Sequence, residues 1–304
     1  MRRANVEHVE LGWKERNGRL TRRMSVKVYV REKRDDLHDH DRLPKSTTVL
    51  IPVGAGHYRA RRVPVDVVWN APVRFAHAPP DFLDPVLAGA LVGIPGQETG
   101  TFACLVSDSA GRVFGVTAGH VVQPFQGEIV AGIGVLQPVS IPPGLPAGKS
   151  RTLGATAGGF FGNTPSGFID FALLKLSSAR HVRSEPLDGG PFRRTVLSAA
   201  TVIDHGVPVT KFGATTGRRR AAFSAPRSSV AIQGIVVFDV LEFRGLDGPF
   251  GAPGDSGSLV VSAATGSEGA VVGLLFAVSD PAPDAPEGRA YVVPFERLTG
   301  LRPA

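Results

Sequence analysis

The stretch "GAPGDSGSLVV", which runs from Gly251 to Val261, decides the fold of this chain. Its first half is built from glycines, a proline and other small residues, which shape tight turns and fill little of a core. Its second half is a short apolar run that is typical of a buried strand. Ser256 therefore stands on a turn that leads into a strand, which we interpret as a functional site.

A serine hydroxyl is a poor nucleophile unless a base takes its proton, and that base must be held in the correct tautomer by a third group. Among the eight histidines, His120 is the best candidate for the base. It lies in "VFGVTAGHVV", where the pattern predicts a strand that ends at Thr117, two small residues, and an imidazole at the strand's edge.

The third group should be a carboxylate that can be buried beside the imidazole. Asp170, in "GFIDFALLKL", lies among apolar residues just before a predicted strand, and a charge in such surroundings needs a partner. The spacing alone also leaves open other aspartates between His120 and Ser256, namely Asp188, Asp204, Asp239 and Asp247.

The segments "TAGH", "DFALLKL" and "GDSGS" resemble the His, Asp and Ser motifs of the chymotrypsin/trypsin-like serine proteases. They occur in that family's order along the chain, which differs from the order in subtilisins and α/β-hydrolases. The separations, 50 residues from His120 to Asp170 and 86 from Asp170 to Ser256, are close to those of two-barrel proteases. The resemblance covers about residues 95–298 and implies a mainly β fold, a chymotrypsin-like double six-stranded β-barrel.

The resemblance also implies the roles of the site residues. His120 would act as general base and then as general acid, Asp170 would orient and stabilise the imidazolium, and Ser256 would be the acylated nucleophile. The backbone N–H groups of Gly254 and Ser256 would form the oxyanion hole, which explains why the turn needs small residues.

Two further segments resemble bacterial members of the family. "VTKFGATTGRRRA", from Val209 to Ala221, is similar to a strand and turn with the pattern K-x-G-x-T-T-G. "AVVGLLFAVS" is similar to the strand that lies along the substrate backbone. This match implies that Leu275, Phe276 and Ala277 border the substrate cleft and pair with an extended peptide.

The chain departs from the family pattern in two places. No cleavage site that would create a new N-terminus precedes residue 101, so Asp255 needs a different partner, and we expect an arginine. Phe250, six residues before Ser256, stands where trypsin-like members carry an acidic residue. We therefore expect a preference for a small or apolar side chain before the cleaved bond.

The chain divides into a small N-terminal accessory module, residues 1–84, and a protease domain, residues 85–304. "VEHVELGWKERNGRLTRRMSVKVYVREKR" predicts a hairpin that turns at Asn17-Gly18, and short strands are expected at Thr48–Val53 and Val63–Trp69. The proline-rich "APVRFAHAPPDFLDP" predicts a linker. The front module, β or α+β, also resembles the small module that precedes some intracellular trypsin-like proteases of bacteria and plants.

In the protease domain, 37 glycines and 25 prolines in the whole chain agree with many turns and short strands. The tract between Val139 and Gly167 predicts turns and an exposed loop. Later strands are expected at Phe171–Leu176, Val207–Phe212, Val230–Phe243, Ser258–Ser262, Ala270–Val278 and Ala290–Val293, with helical periodicity only around Phe295–Leu301.

Composition limits the partners and the location. Residues 1–84 carry 17 Lys and Arg against 11 Asp and Glu, so the net charge of +7 belongs mostly to the front module. Arginine dominates throughout, which indicates a general compositional bias and does not favour nucleic-acid binding. Cys104 is the only cysteine, and acidic residues interrupt the start of the chain where a signal peptide would be apolar. We expect a cytoplasmic protein without a membrane span.

These observations predict a serine endopeptidase that cleaves protein or peptide substrates through an acyl-enzyme. Neither a cofactor nor a metal is expected. A free protease in the cytosol would be harmful, so we expect its activity to be gated by the front module or by a regulatory protein partner. The alternative is a catalytically silent, protease-like binding protein that acts through the front module.

Overall fold

The computed structural model describes residues 6–16, 19–30, 42–54, 57–69, 73–74, 82–140, 150–232, 235–281 and 287–304. The predicted mainly β architecture is confirmed, and within these ranges no helix is long and apolar enough to cross a membrane. The helices are α1 (Gly119–Val122) and α2 (Ala199–His205), with a 3₁₀ turn at Phe295–Arg297. The strands are β1 (Val6–Arg16), β2 (Arg19–Val30), β3 (Ser46–Gly54), β4 (His57–Trp69), β5 (Val73–Arg74), β6 (Val86–Ala88), β7 (Leu91–Gly93), β8 (Thr99–Thr101), β9 (Leu105–Ser107), β10 (Val113–Thr117), β11 (Gly127–Glu128), β12 (Gly134–Leu136), β13 (Thr152–Thr164), β14 (Gly167–Leu176), β15 (Val182–Pro186), β16 (Arg193–Val196), β17 (Val209–Gly213), β18 (Gly217–Ile232), β19 (Ile235–Gly245), β20 (Leu259–Ser262), β21 (Ala270–Ser279), β22 (Ala290–Pro294) and β23 (Arg302–Pro303).

The front part of the chain forms a four-stranded sheet in the order β1-β2-β4-β3. The predicted antiparallel hairpin is present as β1 and β2, and its turn at Asn17-Gly18 lies outside the described residues. β2 and β4 are parallel neighbours. Parallel strands need a longer connection than a two-residue hairpin turn, and here β3 lies between them in the chain. The sheet contains the two short strands expected at Thr48–Val53 and Val63–Trp69.

The first barrel is built on a sheet with the path β23-β9-β10-β14-β13-β12-β7-β8. β10 pairs with β14 so that Thr117 lies opposite Ala172. This register places the end of β10 beside the part of β14 that carries Asp170. The interior of the barrel is filled by fully buried side chains, among them Phe102 and Leu174.

The second barrel closes on itself. β21, β20, β17, β18, β19 and β22 are neighbours in that order, and β22 pairs with β21 to complete a ring of six strands. Closure removes the exposed sheet edges, and each strand is held on both sides. β21 is buried over its whole length, which explains why its sequence is an uninterrupted apolar run.

Two expectations drawn from the sequence are wrong, and the predicted linker holds a short strand that the sequence pattern did not indicate. The tract between Val139 and Gly167 contains the long strand β13, because positive-φ glycines such as Gly158 and Gly159 let it bend while it pairs with β14. The linker contains a short strand, β5, that pairs with the end of β21. The run Val230–Phe243 belongs to two antiparallel strands, β18 and β19.

The front sheet is joined to the second barrel by a buried ion pair. Lys27 on β2 is fully buried, and its Nζ lies 3.7 Å from Oε1 of Glu242 on β19 and 3.4 Å from the hydroxyl of Ser224 on β18. Ser224 donates a 2.6 Å hydrogen bond to the same carboxylate. The sheet therefore packs on the outside of β18 and β19 through polar groups that are shielded from water.

Candidate active site

His120 is placed by a strand end and a single helical turn. β10 ends at Thr117, as the sequence pattern predicted, and α1, which the pattern did not indicate, begins at Gly119. Gly119 cannot be replaced without cost, because a Cβ at this position would lie 3.0 Å from Oδ1 of Asp170 and 3.2 Å from the carbonyl of Phe160. The backbone therefore approaches the carboxylate closely, and the imidazole is 95% buried beside it.

Asp170 holds His120 with both carboxylate oxygens. Oδ2 lies 2.6 Å from Nδ1 of the imidazole, and Oδ1 accepts a 3.0 Å hydrogen bond from the backbone N–H of His120. Asp170 is completely buried and lies within β14, so its charge is shielded from water. Two contacts to one residue fix the ring orientation, and a proton on Nδ1 would leave Nε2 unprotonated and able to act as a base.

Two of the competing aspartates form ion pairs away from His120. Asp188 pairs with Arg218 and Asp247 pairs with Arg220, both at the surface. Asp239 has a positive φ of 57° and accepts through its backbone carbonyl from Arg297. Among the candidates that the spacing left open, Asp170 is the residue that the structure brings to His120.

The turn that carries Ser256 packs directly against the histidine motif. A Cβ on Gly257 would lie 2.5 Å from the carbonyl of Thr101 and 2.8 Å from the amide of Ala118. The amide of Thr101 in turn donates a 2.7 Å hydrogen bond to the carbonyl of Ser256. Glycine is therefore required at position 257 for the two motifs to meet. The hydroxyl of Ser256 donates to the carbonyl of Phe276 at 3.2 Å.

The two amides that the resemblance assigns to an oxyanion hole belong to a rigid turn. Ala252 to Asp255 form a type II turn, with Pro253 second, Gly254 third at a φ of 100°, and a 3.1 Å hydrogen bond from the amide of Asp255 to the carbonyl of Ala252. A left-handed residue is needed at the third position, which only glycine adopts without strain.

The carbonyls of the same two peptide groups are both held. Thr215 donates its hydroxyl to the carbonyl of Pro253, and Ser258 donates its amide at 2.9 Å and its hydroxyl at 2.6 Å to the carbonyl of Asp255. Because a trans peptide is planar, with N–H opposite C=O, these bonds fix the directions of the Gly254 and Ser256 amides. In the part of the chain that the structure describes, neither amide donates to a protein acceptor.

Asp255 pairs with Lys211, which corrects the expected arginine. The Nζ and Oδ2 atoms are 2.6 Å apart, and both side chains are fully buried. Burial lowers the pKa of Lys211 below its usual value, and the ion pair opposes this shift only in part. Thr216 donates its hydroxyl at 2.7 Å, and the amide of Thr215 donates at 2.9 Å, to the same carboxylate.

This arrangement explains the segment "KFGATTG". Its lysine and its two threonines all support the turn that carries Ser256, because β17 and β18 place their connecting turn beside Asp255. The sequence identified the motif by resemblance but did not reveal these contacts. The signal was the unusual occurrence of a lysine in the middle of an apolar strand.

The three residues expected to border the substrate lie in the middle of β21, with their side chains buried. Leu275 accepts a 2.7 Å bond from the amide of Gly257 and donates a 2.9 Å bond to Ser258, so its backbone holds the turn. Phe276 presents its carbonyl to Ser256. Ala277 follows, and its neighbour Val278 pairs with β5, a contact that no sequence pattern indicated.

A cleft of about 490 Å³ opens beside His120. It is lined by Gly96, Gln97, Glu98 and Pro124, which precede β8 or follow α1. No three His, Cys, Asp or Glu side chains in the described ranges are grouped so that they could hold a metal ion. The arrangement thus offers an oriented imidazole beside a cleft, and a neighbouring turn that carries a hydroxyl and two fixed amides.

Solved structures with a similar fold are bacterial serine proteases. Thermobifida fusca protease A is 20% identical, with a TM-score of 0.50 over 72% of this chain and 98% of the other. Cellulomonas bogoriensis chymotrypsin (20% identity, TM-score 0.46) and Nocardiopsis protease (18%, 0.47) each match 72% of this chain and 98% of their own. No family model matches the chain, and no curated protein matches it. The similarity to protease A shows that this chain has a chymotrypsin-like fold.

Proposed function

We propose that this chain is a serine endopeptidase that cleaves protein or peptide substrates through an acyl-enzyme. The observation that carries the proposal is the convergence of three motifs: the 2.6 Å pairing of His120 with Asp170 and the packing of the Ser256 turn against Thr117 and Ala118. These motifs are far apart in the sequence, and a purely structural barrel has no need to bring them together.

The first chemical step follows from the positions of these groups. Rotation about Cα–Cβ of Ser256 turns its hydroxyl from Phe276 toward Nε2 of His120, which takes the proton as the oxygen attacks the substrate carbonyl. Asp170 stabilises the imidazolium that forms. The imidazolium then gives its proton to the leaving amine, and a water molecule repeats the sequence to release the acyl group.

The amides of Gly254 and Ser256 stabilise the negative charge on the tetrahedral intermediate. A single donor of this kind contributes on the order of 10²–10³-fold in rate. The support by Thr215 and Ser258 matters because the amides must point at the oxyanion before it forms. No cofactor takes part in the proposed reaction.

The preference for a small or apolar residue before the cleaved bond is part of the proposal. Phe250 is buried, so the position six residues before Ser256 offers no acid to a basic side chain. The adjacent Gly251 lies against β21, since a Cβ there would be 2.8 Å from Cγ1 of Val278. This close packing leaves little room beside β21 for a large side chain of the substrate.

The division at residue 84, the cytoplasmic location and the gating by the front module also remain proposals. The absence of disulfides and the attachment of the front sheet to the second barrel support them.

A fluorophosphonate probe tests the activity. We expect covalent modification of Ser256 in the purified full-length chain, no modification in Ser256→Ala, and a loss of at least about 10⁴-fold in labelling rate in His120→Ala. His205→Ala, at an exposed helix end, is the matched control and should label at the normal rate. A folded chain that does not label would favour the silent, protease-like binding protein.

A further inference from the structure

The edge of β21 that faces the nucleophile is already occupied by the chain itself. One edge of β21 pairs with β22, with Val278 opposite Ala290. The other edge pairs in turn with β20, then with Gly257 and Ser258, and finally with β5, where Arg74 lies opposite Val278 and Val73 opposite Ser279. The carbonyl of Phe276, which contacts the Ser256 hydroxyl, lies two residues before Val278.

A substrate would need the same backbone groups. A peptide whose carbonyl carbon sits at Ser256, and which pairs with β21 as an added strand, reaches Val278 within about 7 Å, the length of two residues in a strand. The amide of Ser279 already donates to the carbonyl of Arg289 on the opposite edge, so the contested groups are the N–H and C=O of Val278, which cannot serve β5 and such a peptide at once. β5 runs antiparallel to β21, an orientation that an added substrate strand can also adopt.

We infer that β5 is an internal competitor that lowers the activity of the full-length chain by occupying the substrate's place on β21. This inference rests on the proposed function. The competitor belongs to the same chain, so its effective concentration reaches the millimolar range without any partner. Its ladder is only two residues long, so a long substrate or a partner that pulls on the front sheet can displace it. β5 therefore competes with extended peptides and does not modify Ser256.

A redox-controlled cross-link tests the competition. Residues directly opposite in an antiparallel pair have Cα atoms about 4.5–5.5 Å apart, which a disulfide can span. We therefore expect Arg74→Cys/Val278→Cys to form a disulfide on oxidation. The native Cys104 does not interfere, because burial raises the pKa of its thiol to about 12.

Two readouts separate the outcomes. For a peptide substrate with four or more residues before the cleaved bond, kcat/KM of the oxidised variant should be at least about tenfold below that of the reduced variant. Labelling by a small fluorophosphonate, which does not reach Val278, should be the same in both redox states. The single variant Arg74→Cys should show no dependence on reductant.

Each other outcome overturns the inference. If no disulfide forms, β5 does not lie at Val278, and if it forms without a change in peptide hydrolysis, β5 does not compete. If the probe labels neither state, the proposed function itself has failed, which is distinct from a labelled but unregulated enzyme.

Discussion

At the scale of single residues, the site depends on how each polar group is held. Asp170 uses one oxygen for the imidazole and the other for the backbone of the same residue, so ring and main chain move together. A carboxylate accepts hydrogen bonds only, which forces the proton of a neutral imidazole onto Nδ1. The tautomer of His120 is therefore a consequence of its partner.

Asp170→Asn tests this dependence. An amide can donate to Nδ1, which would move the proton to Nε2 and remove the base, so we expect kcat for peptide hydrolysis to fall by about 10⁴-fold with little change in stability. Steady-state kinetics and thermal melting measure the two effects. Asp188→Asn, which alters a surface pair, is the control, and equal activities of the two variants would contradict the assigned role.

At the scale of elements, the β17–β18 turn and the Ser256 turn form one unit. Lys211 lies on β17 and Asp255 on the turn before β20. Both side chains are fully buried, and the hydroxyl of Thr216 accepts from Lys211 and donates to Asp255. Removing one member of such a pair leaves a buried charge without compensation, which costs about 3–5 kcal/mol.

Lys211→Met should therefore destabilise the fold by about 3–5 kcal/mol and lower activity further, because Asp255 would no longer fix the turn. Denaturant unfolding measures the first effect, and kcat of the folded fraction measures the second. The double variant Lys211→Met/Asp255→Asn should recover part of the stability, since no charge is left buried. Lys175→Met, on an exposed position of β14, should change neither; a Lys211→Met variant as stable as this control would refute the ion pair's importance.

Elements formed by local patterns could be predicted from the sequence, whereas elements that depend on distant pairing could not. Apolar strands with short turns, such as β10 and β20, were predictable because their patterns are local. β13 was not, because its glycines resemble a loop until β14 is present to pair with them. β5 was not, because two residues carry no periodicity and its pairing with β21 spans two hundred residues of chain. The site motifs were predictable by their resemblance, whereas Lys211, Thr215 and Ser258 act through contacts that only the folded chain creates.

At the scale of the whole molecule, a buried charge cluster connects the front sheet to the second barrel. Burial by itself would raise the pKa of Glu242, but the nearby Lys27 and Arg289, the Ser224 hydrogen bond and Arg244 together lower it below its usual value of 4.5. A carboxyl with a lowered pKa contributes stability that is complete above its unfolded pKa and is lost as the pH falls through the folded one.

Glu242→Gln should therefore destabilise the chain at neutral pH and expose the front sheet to limited proteolysis. The difference in unfolding free energy between wild type and variant should be constant above about pH 5 and shrink on acidification, as the wild-type carboxylate becomes protonated. Glu268→Gln, at the surface, is the control. A difference that is independent of pH down to acid unfolding would show that the charge of Glu242 does not hold the sheet.

The lysine that neutralises Asp255 comes from a strand in the middle of the second barrel, not from a free chain end. In the proposed protease, folding alone would therefore complete the support of the Ser256 turn, and a fusion partner placed ahead of residue 1 should not delay it. For the proposed protease, control would then act on access to the cleft and not on a chemical activation step.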